Sequence, residues 1–293
     1  MLVGAVSPAR AEPAVFSEVE FESRWQGLGQ CAYLAPKGDF IGDDHGFDVV
    51  FHFHAGQMSE RQMRESGLPA VFVSCGFGLG TGPYAQAFTD SARFDRMLSA
   101  LVTQIEASTK HSGLHVRKLA LASWSAGFAA VAKILAVPRY ADMVDTVMLF
   151  DSLHAPYLEP NAHTAAQGED HVDTKALGVF IRFAKRAVQG EKTMVVTHSS
   201  IVPPDYASSG EASRAMLSAI GVPTSPLEEK NALGMTTLYQ ANAGNLHVRG
   251  FRGRGPHDHF DHLHLIGDAL RNWVVVRWKR ESRVVYTMGG ERR

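Results

Sequence analysis

Apolar residues along this chain follow two periods that give way to one another several times. Short apolar runs bounded by glycine or polar clusters read as strands: Phe47–His54 (FDVVFHFH) lies between Gly46 and Gly56, and Ala70–Ser74 (AVFVS) ends in a glycine-rich loop from Gly76 to Gly82. Such runs suit strands covered on both faces. Glu18–Glu22 and Cys31–Leu34 are shorter strand candidates. Between Asp90 and Ser108 the period lengthens, and Phe94, Met97, Leu98, Leu101, Val102 and Ile105 fall on one stripe of an amphipathic helix. Thr89, Asp90 or Ser91 is available as its N-cap. The alternation continues with strand Lys118–Ala122, helix Ala126–Leu135, strand Thr146–Phe150, helix Thr174–Val188, strand Thr193–Thr197 and helix Glu211–Ile220. A hairpin follows, Thr236–Tyr239 with Leu246–Phe251 around the turn Asn242–Asn245, and a closing helix runs from about Asp261 to Trp278.

Strands alternating with helices call for right-handed crossovers, so the predicted fold is α/β with a mostly parallel central sheet flanked by helices. No helix separates the strands before Gly56, which makes the N-terminal part antiparallel. There is no internal repeat, low-complexity tract or linker. Residues 12–293 therefore read as one domain, with 152–192 as a candidate small lid.

Composition narrows the function classes. Lys plus Arg (29) and Asp plus Glu (30) leave a net charge of -1, which argues against a nucleic-acid partner. No apolar stretch approaches the roughly 20 residues of a membrane span. Cys31 and Cys75 fit neither a disulfide framework nor a zinc ribbon; one disulfide and two buried thiols both stay open. The opening MLVGAVSPARA is apolar, ends in Ala9-Arg10-Ala11 and lacks a basic start. We read residues 1–11 as the remnant of a signal peptide whose start lies upstream, and expect export to a periplasm or the exterior.

The chemistry concentrates at Ser123-Trp124-Ser125-Ala126-Gly127, where a strand turns directly into a helix. Small residues two before and two after Ser125 let strand and helix approach, holding the serine on a strained turn with its hydroxyl exposed. The helix N-terminus supplies free N–H groups for a developing oxyanion. Ser123 stands where the strict pattern has glycine. The order of elements around this turn, over roughly residues 18 to 280, resembles the α/β-hydrolase fold, with the nucleophile after the fifth strand.

That resemblance implies a triad in the chain order Ser, acid, His. Asp151, directly after the strand ending at Phe150, is the expected acid, with Asp205 the alternative. The base is expected before the last helix, in Gly253-Arg-Gly-Pro-His257-Asp258-His259. His259, directly preceding that helix, is preferred and His257 follows. Ala126 N–H is one expected oxyanion donor, and Gly56 the other, in the stretch His52-Phe-His54-Ala55-Gly56-Gln57 that resembles the His-Gly motifs of esterases. His52 and His54 otherwise read as same-face strand side chains.

The run His257-Asp-His259-Phe-Asp261-His262 also matches the H-x-H-x-D-H metal signature of metallo-β-lactamase-like hydrolases. Completing such a site would need ligands from far upstream, such as His52, His54 or His198. The expectation is accordingly a serine hydrolase that cleaves a carboxylic ester through an acyl-enzyme, with no metal or cofactor. An amidase or peptidase on the same triad, or a metal-dependent hydrolase, is the alternative. Tyr157, Phe180 and Phe183 either line an acyl pocket or pack on the sheet, and helical spacing favours packing.

Overall fold

The computed structural model describes residues 19–159 and 168–279. The leader expected over residues 1–11, and part of the segment 152–192, lie outside them. In chain order the elements begin with β1 (Gln26–Leu28), β2 (Cys31–Leu34), β3 (Gly46–Phe53), α1 (Glu60–Arg64), β4 (Val71–Cys75), α2 (Thr81–Ala87) and α3 (Arg93–Thr109). The central part comprises β5 (His115–Trp124), α4 (Phe128–Leu135), α5 (Pro138–Met143), β6 (Thr146–Phe150), α6 (Gly178–Val188), β7 (Thr193–His198) and α7 (Ser209–Ala219). The last part holds β8 (Ser225–Lys230), β9 (Thr236–Ala243), β10 (Leu246–Phe251), α8 (Pro256–His264) and α9 (Ile266–Ala269), which runs into a π-helical turn over Leu270–Val275.

The strands form one ten-stranded sheet in the order β1-β2-β4-β3-β5-β6-β7-β10-β9-β8. β2 runs antiparallel to β1 and β4, and the block from β4 to β10 is parallel throughout. β9 and β8 complete the far edge antiparallel. The period-2 pattern sorts the central strands between two cores. Val49, Phe51 and Phe53 of β3, Leu119 and Leu121 of β5, and Val147 and Leu149 of β6 face one core, together with α3, α4, α6 and α7. Val50, Ala120, Ala122, Trp124, Met148 and Phe150 face the other, against α1 and the C-terminal helices. Buried on both faces, these strands could be read only as apolar runs.

The stripe on α3 is as expected: Phe94, Leu98, Leu101 and Ile105 are buried. The helix starts later than expected, at Arg93, and Asp90 accepts the Ala92 N–H at 2.9 Å from outside it. Cys31 and Cys75 oppose each other across β2 and β4 and are joined as a disulfide. Tyr157, Phe180 and Phe183 are all buried in the first core, so these aromatics pack rather than line an open pocket.

Three elements differ from the sequence reading. Within Glu18–Glu22, among the described residues, Phe21 makes a single bridge to Pro36; the first strand is Gln26–Leu28. β8 was not expected, because its residues SPLEEK are exposed or half-exposed and carry no apolar alternation. The closing helix begins at Pro256, not near Asp261. Proline is preset for the first helical position, and Asp258 accepts the Gly255 N–H at 2.8 Å. His257 and His259 therefore lie on this helix instead of preceding it.

Candidate active site

β5 delivers Ser125 to the carboxyl edge of the sheet in a left-handed conformation, φ 51°, which costs a non-glycine residue about 1–2 kcal/mol. Ser125–Gly127 form one tight turn before α4. Gly127 is required there, since a Cβ would stand 2.2 Å from the Phe53 carbonyl oxygen at the end of β3. The turn is braced from the neighbouring strand end. Ser152 Oγ donates to the Ser125 carbonyl at 2.7 Å, which leaves Ser123 to donate to Ser152 Oγ at 2.8 Å. A serine in the place of the motif's first glycine thus has a buried partner.

Asp151 follows β6 directly and also has positive φ, 46°. Its N–H donates to Thr197 O at 2.7 Å, so the strained turn is held by the adjacent strand. The carboxylate is buried, 4% exposed. Oδ1 accepts the Ser199 N–H at 3.0 Å and Oδ2 accepts His259 Nδ1–H at 2.7 Å. Burial alone would push this carboxyl up, but the His259 hydrogen bond, the fields of His262 and His259, and the Ser199 N–H together hold it far below the usual carboxylate range. With its Nδ1 proton committed to an ionised partner, a neutral His259 presents Nε2 as a proton acceptor. Trp124 fixes the other end of this residue: its Nε1–H donates to His259 O at 2.8 Å, and the two rings lie 4.5 Å apart.

Ser125, Ala126 and His259 line one cavity of about 720 Å³, together with His54, Leu79, Trp124, Phe128, His154 and Tyr206 among others. No family model and no curated protein matches the sequence. Similar solved structures include the enterobactin esterase of Shigella flexneri at 12% identity, with a TM-score of 0.48 over 89% of this chain and 61% of that one. The BES protein of Bacillus cereus is 11% identical, with a TM-score of 0.45 over 89% and 98% of the two chains. An IroE-like serine hydrolase from Shewanella oneidensis is 13% identical, with a TM-score of 0.44 over 86% and 79%. The deciding feature is the chain's own topology: an antiparallel start, a parallel series, and the serine turn directly after the fifth strand. The fold is that of the α/β-hydrolases.

Within this α/β-hydrolase fold the other candidates scatter. His257 is almost fully exposed and pairs with Asp261 at 3.1 Å. Asp205 is exposed on a loop. Gly56 is buried beside Ser74 and His52 and does not line the cavity; the loop after β3 presents His54 there instead. The side chains of the H-x-H-x-D-H run diverge. His259 meets Asp151 and His257 meets Asp261, while His262 is buried with Nδ1 on Thr197 Oγ1 at 2.8 Å. His198 is held by Ser199 O and the Tyr239 hydroxyl. Among the described residues no three His, Cys, Asp or Glu side chains group as metal ligands.

His52 and His54 do not form a same-face strand pair: His52 is on β3, while His54 follows the strand with positive φ, 73°. His52 is fully buried, and neither ring nitrogen has a partner among the described residues. Burial, with a smaller contribution from His54, pushes its pKa down to about 3. Sequence reading did not single out Ser152, or the clamp from Trp124. A serine where the motif wants glycine was the available sign that a polar partner waited nearby.

Proposed function

We propose that this chain is a serine hydrolase that cleaves carboxylic esters by two-step acyl transfer. The observation that carries the reading is the buried 2.7 Å hydrogen bond from His259 Nδ1 to Asp151, beside a serine on a left-handed strand-to-helix turn in the same cavity. In this mechanism His259 Nε2 takes the Ser125 hydroxyl proton as Oγ attacks the ester carbonyl carbon. Asp151 stays ionised, holding the tautomer and stabilising the imidazolium. The Ala126 N–H and a second donor from the turn after β3 receive the oxyanion. His259 then protonates the departing alkoxide. Water, deprotonated by the same histidine, releases the acid from Ser125.

Among the described residues the cavity lining includes imidazoles, aromatic rings and small residues but no Lys, Arg, Asp or Glu, which favours an uncharged ester over an ionic one. The Cys31–Cys75 disulfide is consistent with an oxidising compartment and supports export as part of the proposal.

The test is fluorophosphonate labelling and ester hydrolysis by wild type and Ser125→Ala, each with and without a chelator. Labelling and turnover of wild type are expected to be lost in the variant and untouched by the chelator. Turnover that survives Ser125→Ala and falls with the chelator would overturn the reading.

A further inference from the structure

An oxyanion hole needs two donors, and of the turn His54-Ala55-Gly56 after β3 only His54 is among the residues that line this cavity. Gly56 lies behind the wall, and the His54 N–H already donates to Cys75 O at 2.9 Å. What the loop does present is the His54 side chain. We infer that His54 Nε2–H is the second oxyanion donor, a side chain acting where a backbone amide was expected. This rests on the ester-hydrolase reading above.

Three observations support the assignment. First, the strands place His54 beside the nucleophile. Phe53 pairs with Ser123 across β3 and β5, and the Phe53 carbonyl abuts Gly127. His54 therefore emerges level with Trp124, one residue before Ser125. Its ring stacks on the Trp124 indole at 5.1 Å and 9°. The same indole carries His259, so donor and base are registered on one rigid plate.

Second, the hydrogen bonds fix the tautomer. His54 Nδ1 lies 2.7 Å from the Tyr84 hydroxyl, and that oxygen accepts the Phe77 N–H at 3.4 Å. The phenolic proton has no other acceptor among the described residues, so it goes to Nδ1. The ring's own proton then sits on Nε2. Among the described residues that atom has no partner, and the half-buried His54 opens onto the catalytic cavity.

Third, the ring stays neutral. Burial and the field of His259 both lower the His54 pKa from its ordinary value. A neutral imidazole can polarise a carbonyl without adding a second cation beside the His259 imidazolium. As Ser125 Oγ bonds to the carbonyl carbon, the C=O electron pair moves onto oxygen, and Nε2–H strengthens its hydrogen bond without transferring its proton.

The experiment compares His54→Phe and His54→Gln with wild type on a p-nitrophenyl ester, alongside fluorophosphonate labelling and thermal melts. Phenylalanine keeps the stack on Trp124 and removes the donor; glutamine restores an N–H near the position of Nε2. We expect His54→Phe to lower kcat about 10- to 100-fold with KM little changed, the signature of a contact made in the transition state. His54→Gln should recover most of that loss. Should the phenylalanine variant not fold, His54→Leu serves as the non-donor. Unchanged kcat in a folded non-donor variant would overturn the assignment. So would equal losses in both variants with a lowered melting temperature, because that pattern means the ring only supports Trp124. Failure of wild type to label at Ser125 would instead strike the ester-hydrolase reading itself.

Discussion

Replacing His52 by leucine should make the protein less sensitive to acid, by an amount that can be worked from its surroundings. The imidazole is fully buried, stacked parallel to Phe150 at 6.4 Å, with both nitrogens unpartnered. Its pKa falls from an ordinary 6.5 to about 3. An unfolded chain then binds more protons than the folded one between these values, so His52 draws stability down as pH falls through 6.5 toward 3. At pH 5 the folded ring is still neutral while the unfolded one sits 1.5 units below its pKa. At about 1.4 kcal/mol per unit, the loss is about 2 kcal/mol relative to pH 7.5. Urea unfolding of wild type and His52→Leu at both pH values gives the comparison. Packing changes in the variant enter both pH values alike, and the similarly neutral His262 enters both proteins alike, so both cancel in the double difference. Wild type should lose about 2 kcal/mol more than the variant, a midpoint shift approaching 1 M urea for a chain of this size. Parallel losses in the two proteins would refute a buried neutral base at this position.

Asp151→Asn should lower kcat by about 10³- to 10⁴-fold while Ser125 remains in place, since His259 loses its tautomer and its counter-charge; steady-state kinetics on a p-nitrophenyl ester measures it. In the same assay His257→Ala and Asp205→Asn should stay within about twofold of wild type, as exposed residues outside the site. Ser152→Ala removes the partner of both Ser123 Oγ and the Ser125 carbonyl. A cost of about 1–3 kcal/mol in urea unfolding is expected, with a fall in kcat as the serine turn relaxes. Replacing Cys31 and Cys75 together by serine frees a loop of 44 residues' separation, which should cost about 4 kcal/mol on the chain-entropy model, read from denaturant midpoints.

Most strands were legible because central parallel strands are apolar runs with glycine or polar ends; Cys31–Leu34 and Thr146–Phe150 match β2 and β6 at both ends. β8 was not, because an edge strand of Ser, Pro, Glu and Lys has no buried face to mark it. The placement of Ser125 and Asp151 at the ends of β5 and β6 could be read from the sequence, since a strained turn at the carboxyl edge of a parallel strand leaves a local trace. Choosing His259 over His257 had no such trace. Both lie on the first turns of α8, where two positions apart means nearly opposite helix faces, and only the approach of the β6 end decides which meets an acid. The misplaced helix start has a similar cause: the turn Pro256–His259 carries no apolar residue, so periodicity was silent there.

The order of the site along the chain bears on when activity can arise. Chains are made and begin to fold from the N-terminus. Ser125 and Asp151 would emerge long before α8, and His259 is brought to Asp151 only after β10 has paired with β7. In the proposed mechanism, a chain interrupted between Asp151 and Pro256 carries the serine turn and the carboxylate but lacks His259 to take the serine's proton. On the proposed mechanism, translation would thus yield a dormant hydroxyl, armed only by the docking of its final helices, so turnover itself would report that the fold is finished.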